Sequence, residues 1–280
     1  MGAEGPRSHI WIPDLQIKPG APQDHLPWIA EYIIEKRPDV IGQIGDWNDN
    51  ASLNSHEEKG SVPLEGARYV DDVACANHSF TVLDGPIQAR IDHCKRQKIK
   101  QWNPRRVYCK GNHEIRADRV ASSDAAYYGV LSSDDFKTPG WERHEFLEVV
   151  DIDGILFSHY FKMQNSNNPI GGTPDNRLNK IGASHMGGHT PGFLYGNRVY
   201  PNGKTRHSIT AGSCYLHQED FRGPQCNTHF RGLICLHEVR DGNFDIMPVS
   251  LSFLCRKYEN MELTRYMKLK YPQGEWEHLA

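Results

Sequence analysis

Short apolar runs that break off into polar, glycine- or asparagine-containing clusters punctuate this chain. They restrict it to folds in which several strand ends converge. The clearest case is Arg106-Val107-Tyr108-Cys109 running into Gly111-Asn112-His113-Glu114. A short apolar run of this kind reads as a buried strand, and the glycine beyond it marks a tight loop. Asn and His are poor filler at a strand end and good metal-site chemistry. Four more clusters follow the same rule: Asp14-Leu15-Gln16, Gly45-Asp46-Trp47-Asn48-Asp49, Ser158-His159 and Gly188-His189-Thr190-Pro191. Residues 8–13 and 39–44 are the strands that lead into the first two. Between them, Leu26, Ile29, Ile33 and Ile34 fall near helical spacing until Pro38 stops the helix. Strand, helix, strand at this length predicts a right-handed parallel crossover, with ligands beyond the strand ends.

The remainder is read the same way. A long helical insertion occupies about 51–104. From Leu64 onward it is expected as two helices broken near Asp84-Gly85-Pro86. The second carries Arg90, His93, Lys95, Arg96, Lys98 and Lys100, which is either an ordinary solvated face or a phosphate-steering lid. A helix is expected over 115–131, a hairpin pair over 141–150 and 153–157, and a lead-in to His189 over 181–186. Strand-like runs at 193–200, 207–211, 230–239 and 244–250 are joined in pairs by Asn202-Gly203 and Asp241-Gly242, both strong hairpin turns. Residues 1–254 read as one domain and 255–280 as a charged, amphipathic C-terminal appendage.

The sequence has 280 residues, enough for a sizeable core. With 38% hydrophobic and 24% charged residues it is globular rather than disordered. A net charge of -3 gives no basic footprint for nonspecific nucleic-acid binding. No apolar run approaches the roughly 20 residues of a membrane span, so no membrane partner is expected. The start lacks a basic stretch followed by an apolar one, so no secretory signal is expected. Seven cysteines without a C-x-x-C pair point to reduced thiols and a cytoplasmic setting. Cys109, Cys214 and Cys235 read as buried filler.

In their order along about 10–251, the five clusters resemble the motifs of the calcineurin-like metallophosphoesterases, of phage or bacterial type. The resemblance implies an α/β (α+β) fold: a four-layer sandwich of two mixed β-sheets flanked by helices. It implies two divalent ions holding a water or hydroxide nucleophile. Asp14, Gln16 and Asp46 would bind the first ion, and Asp46, Asn112, His159 and His189 the second, with Asp46 bridging. Mixed oxygen and nitrogen ligands suit Mn first, with Fe, Zn or Ni as alternatives. His113 would be the leaving-group acid and Asp49 its orienting partner; Arg116 and Arg119 are candidates for substrate phosphate. The sequence departs from the family pattern in three places. Gln16 stands where a His is usual, and Pro191 where many members have a second His, which together leave the first ion without imidazole. Asn50 stands where phosphoprotein phosphatases carry an Arg. The implied function is hydrolysis of phosphomono- or diesters, nucleotides or nucleic acid among them. The alternatives are a DNA/RNA nuclease of the same superfamily or a catalytically weakened interaction scaffold. Of the remaining histidines, His144, His207, His217, His229 and His237 read as structural, and His185 as a neighbour of the ligands.

Overall fold

The computed structural model describes residues 5–54, 64–99, 101–219 and 226–279. Its centre is β1 (Arg7–Ile12), which pairs in parallel with β2 (Val40–Gln43). Parallel pairing continues through β3 (Arg105–Cys109) to β4 (Glu142–His144). On the other side of β1, β10 (Gly232–Arg240) and β11 (Asn243–Ser250) add on antiparallel, giving the order β11-β10-β1-β2-β3-β4. A second sheet is built from β5 (Val150–Ile152), β6 (Ile155–Phe157), β7 (His185–Gly187), β8 (Leu194–Val199) and β9 (Thr205–Thr210), in the order β5-β6-β7-β9-β8. Both sheets are mixed, and among the described residues six helices flank them: a two-sheet α/β sandwich.

The pleat of the central strands explains the layering. Successive side chains point to opposite faces. Ile10 and Ile12 of β1, with Leu233 and Cys235 of β10, join the core beneath the helices. Trp11, Ile234 and Leu236 instead join the core between the sheets, where the Trp11 indole stacks on Phe157 with ring centroids 3.8 Å apart. The helix-side core is filled by α1 (His25–Lys36), α2 (Tyr69–Gln97), α5 (Leu251–Glu259) and α6 (Leu263–Lys270), while α4 (Pro174–Ile181) packs on β8 and β9.

Four local expectations are revised, and a fifth point, open between two alternatives, is decided. First, α2 runs unbroken through Asp84-Gly85-Pro86. A proline inside a helix costs about 3 kcal/mol. Here Gly85 and Pro86 face solvent, while Phe80, Leu83, Ile87 and Ile91 are buried on the opposite face. Asp84 is pinned by Trp141 Nε1 (2.8 Å) and Arg106 (3.1 Å), so tertiary contacts carry the helix past the break. Second, the helix expected over 115–131 is only α3, Arg116–Ser123. Ser122 and Ser123 turn their hydroxyls onto the carbonyls of Asp118 and Val120, and Asp124 Oδ1 accepts Ala126 N–H, which starts a turn instead. Third, the stretch 141–150 is divided between the sheets. Glu142–His144 pairs with β3, and only Val150–Ile152 forms the hairpin with β6. Fourth, α4 lies where no helix was expected, although Thr173 caps it through Asn176 N–H, Pro174 opens it and Gly182 closes it in a left-handed conformation.

Fifth, the basic stretch of α2 is no lid. The start of α2 is tied next to the second cluster, where Ser52 N–H and Oγ–H donate to Asp72 Oδ2. The helix then runs back along the sheet for about 40 Å at 1.5 Å per residue. It ends near the start of β3, where Trp102 Nε1 donates to the Pro38 carbonyl. Arg90–Lys98 therefore lies at the opposite end from the parallel strands' carboxyl ends; Lys100 lies outside the described residues.

The C-terminal segment packs into the same core through Leu251, Leu254, Leu263, Met267 and Trp276. Its docking is polar as well. Asp24, just before α1, accepts hydrogen bonds from Tyr266 (2.9 Å), Tyr271 (2.6 Å) and Lys270. Burial would raise this carboxyl, but the bonds from Lys270, Tyr271 and Tyr266 outweigh it and hold it below its ordinary value. All seven cysteines are free, with Cys109, Cys214 and Cys235 buried. No helix among the described residues is long and apolar enough to cross a membrane.

Asp24→Asn is expected to lower unfolding free energy by about 2 kcal/mol at pH 7, the scale of hydrogen bonds to a charged group. A carboxyl depressed in the folded state stabilises fully above its unfolded value, and that stabilisation fades as pH falls through the lower folded value. Denaturant titrations should therefore show the wild-type advantage at neutral pH and its disappearance in acid, below about pH 4.

Candidate metal centre

The carboxyl ends of β1, β2 and β3 and the ends of β6 and β7 meet at one edge of the sandwich. The loop after β2 carries Asp46 and Asp49, the loop after β3 carries Asn112 and His113, and β6 and β7 lead into His159 and His189. Two side chains come from each sheet's loops to form one cluster. Asp46 Oδ2 lies 3.2 Å from His159 Nε2. Asn112 Oδ1 lies 2.9 Å from the same nitrogen and 2.7 Å from His189 Nδ1. The donor atoms of Asp46, His159 and His189 all lie within 4.8 Å of one another.

The donor chemistry fits a cation. His159 Nδ1–H donates to the Ile44 carbonyl (3.0 Å), which leaves Nε2 as the atom turned toward two oxygens. Asp14, Asp46 and Glu114 are carboxylates at 0–1% exposure around this point. Asp14 Oδ1 accepts His189 N–H (3.2 Å), whereas its Oδ2 is buried with no hydrogen-bond partner among the described residues. A buried, unpaired carboxylate oxygen is costly without a positive partner. Burial, with the Asp46 charge beside it, pushes the Asp14 carboxyl up to about 7 despite an opposing His159. Burial lowers His159, but Asp46, Asp14 and Glu114 outweigh it and raise the ring to about 9. Burial and the His159 charge press His189 down to about 4. The cluster thus gathers three buried carboxyl groups with imidazoles among them.

The backbone is shaped to the same end. Gln16, Asp46 and His189 all adopt left-handed conformations (φ 43°, 55° and 68°), uncommon for residues other than glycine and typical of functional sites. Gly111 and Gly188 are required by close approach. A Cβ on Gly111 would lie 2.1 Å from Asp46 Oδ1, and one on Gly188 would lie 2.4 Å from Asp14 Oδ1.

Beside the cluster, Asp49 Oδ1 accepts His113 Nδ1–H at 2.9 Å, and His113 Nε2 faces inward, 3.7 Å from Asp46 Oδ2. Burial lowers His113, but Asp46 and Asp49 outweigh it and raise it above its ordinary value. Burial would raise Asp49, but His113, Lys18 and Arg116 hold it well below the usual carboxylate range.

The sequence-derived site is therefore assembled as follows. Asp46, Asn112, His159 and His189 come together, with Asp14 against them. Gln16 is buried in the same loop, and its backbone N–H donates to the Asp46 carbonyl. Arg116 embraces the acid–imidazole pair: its Nη1 donates to the Asp49 carbonyl (2.7 Å) and its Nη2 lies 3.2 Å from His113 Nε2. Arg119 is exposed, its guanidinium 5.9 Å above the Phe146 ring. His185 is bonded to Ala183 and Ser208 instead of to a ligand. His144 and His207 are held by Glu142 and Glu148 and by Tyr195 and Asn243, as structural histidines.

Three participants were not singled out from sequence. Lys18 Nζ reaches Asp49 Oδ2 (3.4 Å) and Glu219 Oε1 (3.6 Å), and Glu219 in turn holds His217 (2.9 Å). Glu114, the last residue of the third cluster, accepts three backbone N–H bonds, from Gly111 (2.6 Å), Asp46 (3.0 Å) and Asn48 (3.2 Å). Its position inside the tetrapeptide was the available signal.

No protein-family model matches this sequence, and no curated protein matches it.

Glu114→Gln replaces one acceptor oxygen by an N–H₂ group facing backbone donors. Each buried donor left unsatisfied costs about 1–3 kcal/mol. The variant is expected to melt earlier and to retain less divalent metal after dialysis, measured by calorimetry and elemental analysis.

Proposed function

We propose that this chain is a metal-dependent phosphoesterase that hydrolyses phosphomono- or diesters. The observation that carries this reading is the placement of a cluster of cation-binding donors beside a carboxylate–imidazole pair whose Nε2 faces it. Asp46, Asn112, His159 and His189 would hold one divalent ion, and Asp14, Gln16 and Asp46 a second. Mixed oxygen and nitrogen donors favour Mn, with Fe, Zn or Ni next. Divalent ions so bound supply neutralisation of the phosphoryl oxygens and activation of water.

The protein's own groups do the rest. Asp49 accepts His113 Nδ1–H and so fixes the ring with Nε2 toward the cluster. From there, protonated Nε2 donates to the departing ester oxygen, as a general acid. The Nη2 group of Arg116 occupies that nitrogen in the free protein, so Arg116 has to turn aside when ester binds. A phosphoryl oxygen is the matching acceptor for its freed N–H groups. The calcineurin-like resemblance supports the same assignments except at Gln16, where a His is usual.

The test crosses Mn, Zn, Mg and Ni with p-nitrophenyl phosphate, bis-p-nitrophenyl phosphate and a labelled single-stranded oligonucleotide. Turnover of at least one ester is expected with Mn. His113→Ala is expected to reduce it roughly 10²–10⁴-fold, with metal content unchanged. Preference for the diester and the oligonucleotide would make the activity that of a nuclease. Absence of turnover with every ester and metal would overturn the enzyme reading in favour of an interaction scaffold.

A further inference from the structure

The rim of the centre between α3 and His189 is lined by aromatic side chains that the hydrolytic chemistry does not use. Tyr160 directly follows the proposed ligand His159, and its ring lies 4.8 Å from that of His189, tilted by 52°. Phe146 meets Tyr160 edge-on, at 5.4 Å and 83°. Both rings are half-buried and reach solvent. Arg116 and Arg119 stand one turn apart on α3, on the same face. The first engages the His113 pair and the second lies over Phe146, so the arc from His113 through Arg116, Arg119, Phe146 and Tyr160 to His189 is continuous.

Two features mark this wall as built rather than left over. Leu147, next to Phe146, has φ 68°, a left-handed conformation that a large side chain adopts at an energetic cost. The turn is nonetheless locked, because Glu148 Oε2 accepts Glu145 N–H (2.8 Å) and Glu148 N–H donates to the Glu145 carbonyl (2.9 Å). In addition, among the described residues the Arg119 guanidinium has no carboxylate or carbonyl partner, and the Tyr160 hydroxyl has no hydrogen-bond partner. The rim therefore offers aromatic surface and a cation to whatever lies against it.

We infer that Tyr160, Phe146 and Arg119 form a stacking subsite for the planar base of a nucleotide, so that the substrates of this centre are phosphoesters of nucleosides rather than of aliphatic alcohols. The inference rests on the phosphoesterase reading for the role of the neighbouring centre. Its own basis is the rim: bases stack on aromatic side chains whatever their identity, and an arginine over the ring adds cation–π attraction. Phe146, meeting Tyr160 at 83°, backs the Tyr160 ring on which a base would stack.

The experiment uses phosphonates, which carry the phosphate-like group on a carbon that hydrolysis does not cleave. Adenosine 5′-methylenephosphonate, benzylphosphonate and propylphosphonate are titrated calorimetrically into the full chain, both metal-free and loaded with Mn. The adenosine compound is expected to bind roughly ten-fold tighter than propylphosphonate, or more, from the stacking range for one base. Tyr160→Leu, which keeps bulk but removes the π-face, is expected to erase most of that ratio, and Tyr160→Phe to preserve it. Equal binding of the adenosine and propyl compounds, or a ratio unchanged in Tyr160→Leu, would overturn the subsite. Benzylphosphonate binding as tightly as the adenosine compound would overturn its assignment to nucleotides. A retained adenosine preference in a protein that hydrolyses no ester would uphold the subsite while removing the phosphoesterase reading, so the two fail separately.

Discussion

A single buried carboxylate organises the loops of the centre. Glu114 has no solvent exposure, and its two oxygens accept backbone N–H groups from Gly111, Asp46 and Asn48. It thereby ties the loop after β2 to the loop after β3. Asp46 is held in its left-handed conformation, and its Oδ1 in turn accepts His113 N–H at 2.9 Å. Burial, reinforced by the Asp46 charge, raises the Glu114 carboxyl, which shows how much the local field resists another negative group here. The three N–H donors are what make its burial tolerable. Asp46 and Asn112 present their side chains to the cluster from this backbone junction.

The same economy of contacts governs the Asp49–His113 pair. Asp49 is shared between His113, Arg116 and Lys18, and Lys18 extends the network to Glu219 and His217. The imidazole is therefore oriented by a carboxylate that is itself clamped from two sides by cations. Asn50 donates from Nδ2 to the His113 carbonyl and accepts from Asn48. It serves loop geometry, and the positive charge near the pair comes from α3 and from the loop after β1.

Much of this was legible in the sequence because it is local. Alternating and apolar runs that end in Gly, Asp, Asn or His announce strands and the loops after them, and Asp46, Asn112, His159 and His189 were each found that way. The two glycine-centred hairpin turns were equally plain. What escaped depends on contacts between distant segments. Pro86 breaks helices by a local rule, but Trp141 and Arg106 hold Asp84 in place and four apolar side chains bury the opposite face. Glu142–His144 has nothing in its own residues to assign it to one sheet while the nearby Val150–Ile152 goes to the other. Lys18 and Glu219 are some two hundred positions apart and meet only because the β1 loop and the segment after β9 share an edge. The cap signals of α4 were present in Thr173, Pro174 and Gly182, but a neighbourhood rich in Gly, Asn and Pro hid them.

The cluster draws Asp46 and Asn112 from one sheet and His159 and His189 from the other. It is consequently a gauge of how the two layers are aligned. A slide of one sheet over the other by the length of a bond would part the imidazoles from the oxygens while leaving every strand intact. Resistance to that slide resides in the layer between the sheets, in contacts such as the face-to-face stack of Trp11 on Phe157. Close-packed interiors of this sort transmit small volume changes instead of absorbing them. Residues buried between the layers thus set the tolerance of the cluster above them, and the alignment of the sandwich and the spacing of its donors vary as one quantity.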